Sequence, residues 1–191
     1  MLHWPDTMMT YMTGDNILFS NDVFGQHFAS DLMFDDTVNR EELFFEAIKY
    51  YANIVAPFSG KVIKKLTEFE ALNLPLNMIC PSHGLMWRGK GINEIIETYA
   101  KWANAYQENQ ITLIYDTMYE STRFMAEAIA KGIKAHDEKV NVKIYNSAKD
   151  DNSDIIAEVF RSKGVMVGCP TYNNGILNST AAILEEIKGI A

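Results

Sequence analysis

At 191 residues the chain has room for one large domain or two small ones. Apolar residues make up 48% and charged residues 22%, the balance of an ordinary globular protein. The net charge of −8, with basic residues scattered apart from Lys64-Lys65, excludes a general nucleic-acid binder, because neutralising phosphates takes clustered Lys and Arg. No apolar run approaches the roughly 20 residues that span a bilayer, and no basic-then-apolar leader is present. No membrane partner is therefore expected. Cys80 and Cys169 make no disulfide framework, which fits a reducing, cytoplasmic setting.

Composition divides the chain near residue 109, at the short polar hinge Gln107-Glu108-Asn109-Gln110. Residues 1–108 are rich in aromatics and hold three of the four histidines. In this first part Thr13-Gly14-Asp15-Asn16 reads as a turn leading into a short strand, Ile17 to Ser20. Asn39 is a plausible N-cap, with Glu42 three residues on. Behind it Leu43, Phe44, Ala47, Ile48, Tyr51, Ile54 and Val55 share one helical face, which Pro57 ends or kinks. A second helix carries Val62, Ile63, Leu66 and Phe69. Leu76 to Cys80 reads as a strand, and Pro81-Ser82-His83-Gly84 leaves its end. Ile92, Ile95, Ile96, Tyr99, Trp102, Ala103 and Tyr106 mark a third helix.

Residues 109–191 alternate strand and helix. Strands are expected at Ile111 to Tyr115, around Val140, Val142 and Ile144, and at Val165 to Gly168. Helical stripes follow at Phe124, Met125, Ala128 and Ile129, at Ile155, Ile156, Val159 and Phe160, and at Ile183, Leu184 and Ile187. This β-α-β-α-β-α order predicts a parallel sheet with right-handed crossovers.

Two polar loops leave strands in this second part. The first, Thr117-Met118-Tyr119-Glu120-Ser121-Thr122, opens a helix. Hydroxyls and amides at a helix N-terminus suit a phosphate dianion, although simple N-capping by Ser121 or Thr122 also accounts for them. There is no glycine-rich dinucleotide fingerprint and no Walker motif. The pattern points to a monophosphate such as that of flavin mononucleotide. The second loop, Pro170-Thr171-Tyr172-Asn173-Asn174-Gly175, would face the same crevice in a flavodoxin-ordered sheet, with Tyr172 and backbone amides along the flavin ring. Ordinary turn chemistry is the plainer account of Asn173-Asn174-Gly175.

The first part offers metal ligands. His3, Asp22 and His83 each stand at a predicted strand end or loop, and imidazole with carboxylate suits iron, zinc or manganese. Their long, irregular spacing does not by itself make them converge. His27 reads as a partner behind such a site, and His136 as a solvated residue.

Five blocks in order resemble the flavodiiron (A-type flavoprotein) family over nearly the whole chain. They are residues 1–8 (Met-Leu-His-Trp-Pro-Asp-Thr-Met), residues 19–27 (Phe-Ser-Asn-Asp-Val-Phe-Gly-Gln-His), Ser82-His83-Gly84, Tyr115-Asp116-Thr117-Met118 with Ser121-Thr122, and residues 168–175 (Gly-Cys-Pro-Thr-Tyr-Asn-Asn-Gly). The Met-Thr-Tyr run after Met8 and Tyr50-Tyr51-Ala52-Asn53 are similar to the family's nitric-oxide-reducing branch. The resemblance implies an α/β chain: the C-terminal part of a metallo-β-lactamase-like αββα domain (1–108), then the N-terminal part of a flavodoxin-like parallel sheet (109–191). It implies FMN and two non-heme iron ions, with NO reduced to N2O or O2 to water, a rubredoxin-type electron donor and a head-to-tail homodimer. By the same resemblance His3, Asp22 and His83 ligate iron, Asp22 as the bridge. Thr117, Met118, Tyr119, Ser121 and Thr122 surround the FMN phosphate, and Pro170, Thr171, Tyr172, Asn173, Asn174 and Gly175 lie near the ring.

The family's His-x-Glu-x-Asp-His motif does not occur in these 191 residues, and three of five flavodoxin strands are expected. The chain is therefore expected to be an internal fragment that alone holds neither diiron nor FMN tightly. A flavodoxin-like electron carrier, a metal-dependent hydrolase and a non-catalytic remnant remain as alternatives.

Overall fold

The computed structural model describes residues 7–190, so His3 lies outside the described residues. It resolves into two compact units, one ending at Ala105 and the other beginning at Tyr106.

In the first unit a hairpin joins β1 (Thr10–Met12) to β2 (Ile17–Asn21) through the predicted turn, in register Thr10↔Phe19. β2 then pairs in parallel with β3 (Met78–Pro81), which pairs antiparallel with β4 (Trp87–Arg88). The sheet order is β1-β2-β3-β4. β1 and β4, only three and two residues long, carry too little alternation to be read from sequence.

Asn39 caps α1 (Arg40–Tyr50), its side chain accepting from the Glu41 and Glu42 amides. The chain does not stop cleanly at Pro57. A π-helical turn, Tyr51–Val55, and a 3-10 turn, Ala56–Phe58, carry it into α2 (Ser59–Ala71). Pro57 has no N–H to give the preceding turn, so the hydrogen-bond ladder re-registers, and the Ala56 amide reaches back to the Tyr51 carbonyl. Val62 and Leu66 of α2 are buried, whereas Ile63 is exposed. In α3 (Lys90–Ala103) Ile92, Ile95, Tyr99 and Trp102 face the core, where Tyr99 and Trp102 meet Tyr51 and Phe24 in an aromatic cluster. Edge-on contacts hold that cluster together: Phe24 to Tyr99 at 4.8 Å and Tyr51 to Tyr99 at 5.1 Å.

The second unit is a three-stranded parallel sheet in the order β6-β5-β7: β5 (Glu108–Tyr115), β6 (Asn141–Asn146) and β7 (Ser162–Gly168). Both pairings are parallel, with Tyr115 opposite Asn146 on one side and Gly168 on the other. The crossovers are α4 (Ser121–His136) and α5 (Asn152–Arg161), and α6 (Asn178–Ile190) follows β7. The 2-1-3 strand order is the flavodoxin-like arrangement.

Glu108, Asn109 and Gln110, read as hinge, belong to β5. Their polarity is met inside the fold. The buried Gln110 amide donates to the Glu158 carboxylate at 2.6 Å and to Ser162, and its oxygen accepts from Asn141 at 2.6 Å. The α4 stripe also differs from expectation. Phe124 and Met125 are 57% and 63% exposed, and the residue α4 buries is Ala126. A three-stranded sheet is too narrow to cover the whole apolar arc of the helix. Val165, Met166 and Val167 of the edge strand β7 are exposed for the same reason.

Two tyrosines of this unit set an alkaline limit. Burial first, then the hydrogen bond and charge of Glu108, push the Tyr106 hydroxyl up to about 12. Burial first, then Glu158, pushes Tyr145 up to about 12. In the unfolded chain both ionise near the usual tyrosine value of 10. Unfolding thus releases protons above that value, and the stability these groups contribute is full below 10 and lost as pH rises through 12. Urea midpoints measured across this window should fall, and less steeply in a Tyr106→Phe, Tyr145→Phe double variant. An equal fall in both proteins would remove these tyrosines as the cause.

Candidate functional site

Asp22 follows β2 directly and His83 lies just past β3. Because the two strands are parallel neighbours with Asn21 opposite Pro81, both loops leave the same edge of the sheet. The His83 Nε2 lies 3.2 Å from Asp22 Oδ1. The His27 ring stands edge-on to His83 at 5.5 Å and to Tyr50 at 4.9 Å. The Asp22 side chain is 18% exposed and that of His83 46%, so the pair forms an accessible rim rather than a buried bridge.

The two loops are locked to one another. Ser82 N–H donates to the Asn21 carbonyl at 2.8 Å, and Ser82 Oγ to Asn21 Oδ1. The Gln26 amide donates to the His83 carbonyl at 3.3 Å. The fully buried Gln26 side chain donates to the carbonyls of Phe24 and Leu85 and accepts from Leu85 N–H at 2.7 Å. Trp87 Nε1 donates to Phe24 O at 2.8 Å. Gly25 is needed for closeness: a Cβ there would lie 3.0 Å from the Asp22 carbonyl oxygen and 3.4 Å from that of His83.

Tyr50 completes the rim. Burial, and secondarily the Asp22 charge, push its hydroxyl up to about 12, so it remains a hydrogen-bond donor at any ordinary pH. Tyr99, fully buried beside it, is pushed up well above its usual value by burial first and Tyr50 next. Gln26 and Tyr50 had no assigned role in the sequence reading. The only sequence signal for Gln26 was its place in the Phe-Gly-Gln-His block, since apolar periodicity says nothing about a buried amide. His136 is exposed at the end of α4, as read.

Among the described residues no cluster of three His, Cys, Asp or Glu side chains is close enough to hold a metal ion. The donors present fit part of a metal centre: one carboxylate and one imidazole in contact, with a second imidazole ring nearby.

In the second unit the loops after β5 and β7 adjoin. The Asp116 amide donates to the Gly168 carbonyl at 3.0 Å. The N-cap of α4 is neither Ser121 nor Thr122 but Glu120, at φ 67°, with no side-chain cap bond. Ser121 and Thr122 therefore occupy the first turn, and the capping account of their hydroxyls falls. The first-turn amides receive no side-chain cap, and the buried Thr117 Oγ1 has no partner. Both features fit a phosphate. Thr122 packs close to β7, since a Cβ on Gly168 would meet its Cγ2 at 3.1 Å.

The second loop is a tight reversal. Tyr172 and Gly175 exchange both backbone hydrogen bonds, and Asn173 and Asn174 sit at φ 47° and 62°. This is the turn that the Asn-Asn-Gly sequence favours. It leaves Pro170 half-buried and residues 171–175 exposed, with Tyr172, Tyr119 and Met118 open to solvent.

The flavodoxin family profile matches residues 113–190. An anaerobic nitric oxide reductase flavorubredoxin of Enterobacter sp. (strain 638) is 53% identical over 190 residues, covering all of this chain and 39% of the relative. Its counterpart in Escherichia coli O1:K1 is 52% identical, with 40% of the relative covered. The chain thus spans about two fifths of the length of these relatives. Among solved structures, rubredoxin:oxygen oxidoreductase of Desulfovibrio gigas superposes with a TM-score of 0.93 at 34% identity, over 100% of this chain and 47% of that one. The flavodiiron protein of Giardia intestinalis gives 0.91 at 32%, over 99% and 46%. The similarity runs unbroken through both units, in sequence and in fold, and what the chain resembles is one continuous stretch of flavodiiron proteins.

Proposed function

We propose that the chain carries part of a flavodiiron oxidoreductase that passes electrons from FMN to two non-heme iron ions and reduces NO to N2O, or O2 to water. One observation carries this reading above the others: Asp22 and His83, distant in sequence, meet at 3.2 Å at the ends of adjacent parallel strands. Two curated relatives at 52–53% identity bear the name of a nitric oxide reductase, which favours NO as the substrate.

In this reading His3, Asp22 and His83 would be the metal donors. Iron bound there would supply the electrons that reduce a diatomic molecule. The Gln26 clasp holds the two donors in register, and the Tyr50 hydroxyl stays protonated beside them. Thr117, Met118, Tyr119, Ser121 and Thr122 would take the FMN phosphate end. Pro170, Thr171, Tyr172, Asn173, Asn174 and Gly175 would border its ring. Bound flavin would supply electrons that a rubredoxin-type donor delivers. A head-to-tail homodimer of the longer protein belongs to the same reading, as does a cytoplasmic setting, where the free Cys80 and Cys169 stay reduced.

A flavin-dependent electron carrier is the second reading, favoured by the two-donor rim. Titrations of the purified chain with ferrous iron and with FMN separate the two. The diiron reading expects weak iron binding that an Asp22→Ala, His83→Ala double variant abolishes while FMN binding survives. Iron uptake identical in the double variant and the unsubstituted chain would leave only the carrier. Failure of FMN to bind even weakly would remove both.

A further inference from the structure

The Asp116 carboxyl is buried just past the end of β5, 6% exposed, and its two oxygens point to different elements. Oδ1 accepts from the Thr117 amide at 2.7 Å, the first residue of one loop. Oδ2 accepts from the Ser179 hydroxyl, in the first turn of α6, just past the other loop. The Asp116 backbone is itself fixed to the end of β7 through Gly168. The Ser179 hydroxyl thus reaches from its own helix to the residue that follows the neighbouring strand β5.

We infer that Asp116 and Ser179 form a latch that sets the spacing of the two loops on which FMN would lie, and so act as positioning residues for the flavin. This rests on the flavin reading above. A ligand with a phosphate at one end and a ring at the other gains affinity when both loops are held at its length before it arrives. The latch also decides what Thr117 offers. Its amide is taken by Asp116, and its buried hydroxyl is left without a partner, so the hydroxyl is the group free to bind a phosphate oxygen. A rivet serving only the fold would leave no reason for that unpaired hydroxyl beside it.

The test compares FMN with riboflavin, which lacks the phosphate and needs only the ring loop, on the full chain. Ser179→Ala should weaken FMN by about tenfold, the worth of one hydrogen bond to a carboxylate. It should leave riboflavin unchanged and speed hydrogen exchange at the Thr117 amide. Ser179→Thr, which keeps the hydroxyl, should restore FMN affinity. If the two flavins weaken equally, or FMN affinity does not change, the latch is structural only and the inference is overturned while the flavin reading stands. If the unsubstituted chain binds no FMN even weakly, the flavin reading falls and takes the latch's purpose with it.

Discussion

Gly84→Ala is expected to open the clasp between the Asp22 and His83 loops and to cost on the order of 3 kcal/mol or more of stability. Gly84 sits at φ +75°, a conformation that penalises any Cβ. Space is the larger problem. A methyl group there would run into Gln26 Oε1 and lie 2.5 Å from the Gln26 carbonyl oxygen. The carbonyl is backbone and cannot swing aside. The Gln26 side chain is 0% exposed and holds three backbone groups of the two loops. Displacing it leaves those groups unpaired in the interior, at about 1–3 kcal/mol for each one not recovered. Urea unfolding should show the loss. The His83 imidazole resonances should move and ferrous iron binding should weaken with it. A variant with unchanged stability and unchanged His83 resonances would mean that the clasp does not hold the donors.

Gly91→Ala, in the first turn of α3, is the second large effect, and its sign opposes simple helix propensity. In an open helix Ala is favoured over Gly by about 1 kcal/mol. At Gly91 the new methyl would strike Asp35 Oδ2 and come within 2.7 Å of Asp35 Cγ. Asp35 is 1% exposed and cannot give way freely. Its Oδ1 accepts from Arg88 N–H at 2.9 Å and its Oδ2 pairs with Arg40 at 3.2 Å. Only the carboxylate of that pair is buried, and displacing it costs about 1–3 kcal/mol for each of its hydrogen bonds not recovered, which outweighs the propensity gain. A net loss of roughly 1–4 kcal/mol is expected. Gly132→Ala is the matched control, because nothing lies within 4 Å of a Cβ at that position in α4. It should stabilise by up to about 1 kcal/mol. Equal effects of the two substitutions in urea unfolding would refute the Asp35 contact as the cause.

The residues differ in how far they announce their places. The strands around Leu113, Ile144 and Val167 and the helix stripe Ile155, Ile156, Val159 follow local periodicity, and their order alone fixes a parallel sheet. The Asn173-Asn174 turn was equally plain, because its conformation is decided by the residues that make it. The short strands β1 and β4 were not legible, since two or three residues carry no period. Phe124 and Met125 misled because a stripe shows that a helix has an apolar face and not what covers it.

By itself, then, the sequence determined the strand and helix order, the two hydroxyl- and asparagine-bearing loops, and the ordered blocks that mark the family. Tertiary structure alone decided that Asp22 touches His83, that Gln26 joins their loops, and that Ser179 donates to Asp116 from another element. The reason is physical. Periodicity and turn chemistry act over a few neighbouring residues, whereas these contacts form only when parallel strand pairing brings distant loops to the same edge of a sheet.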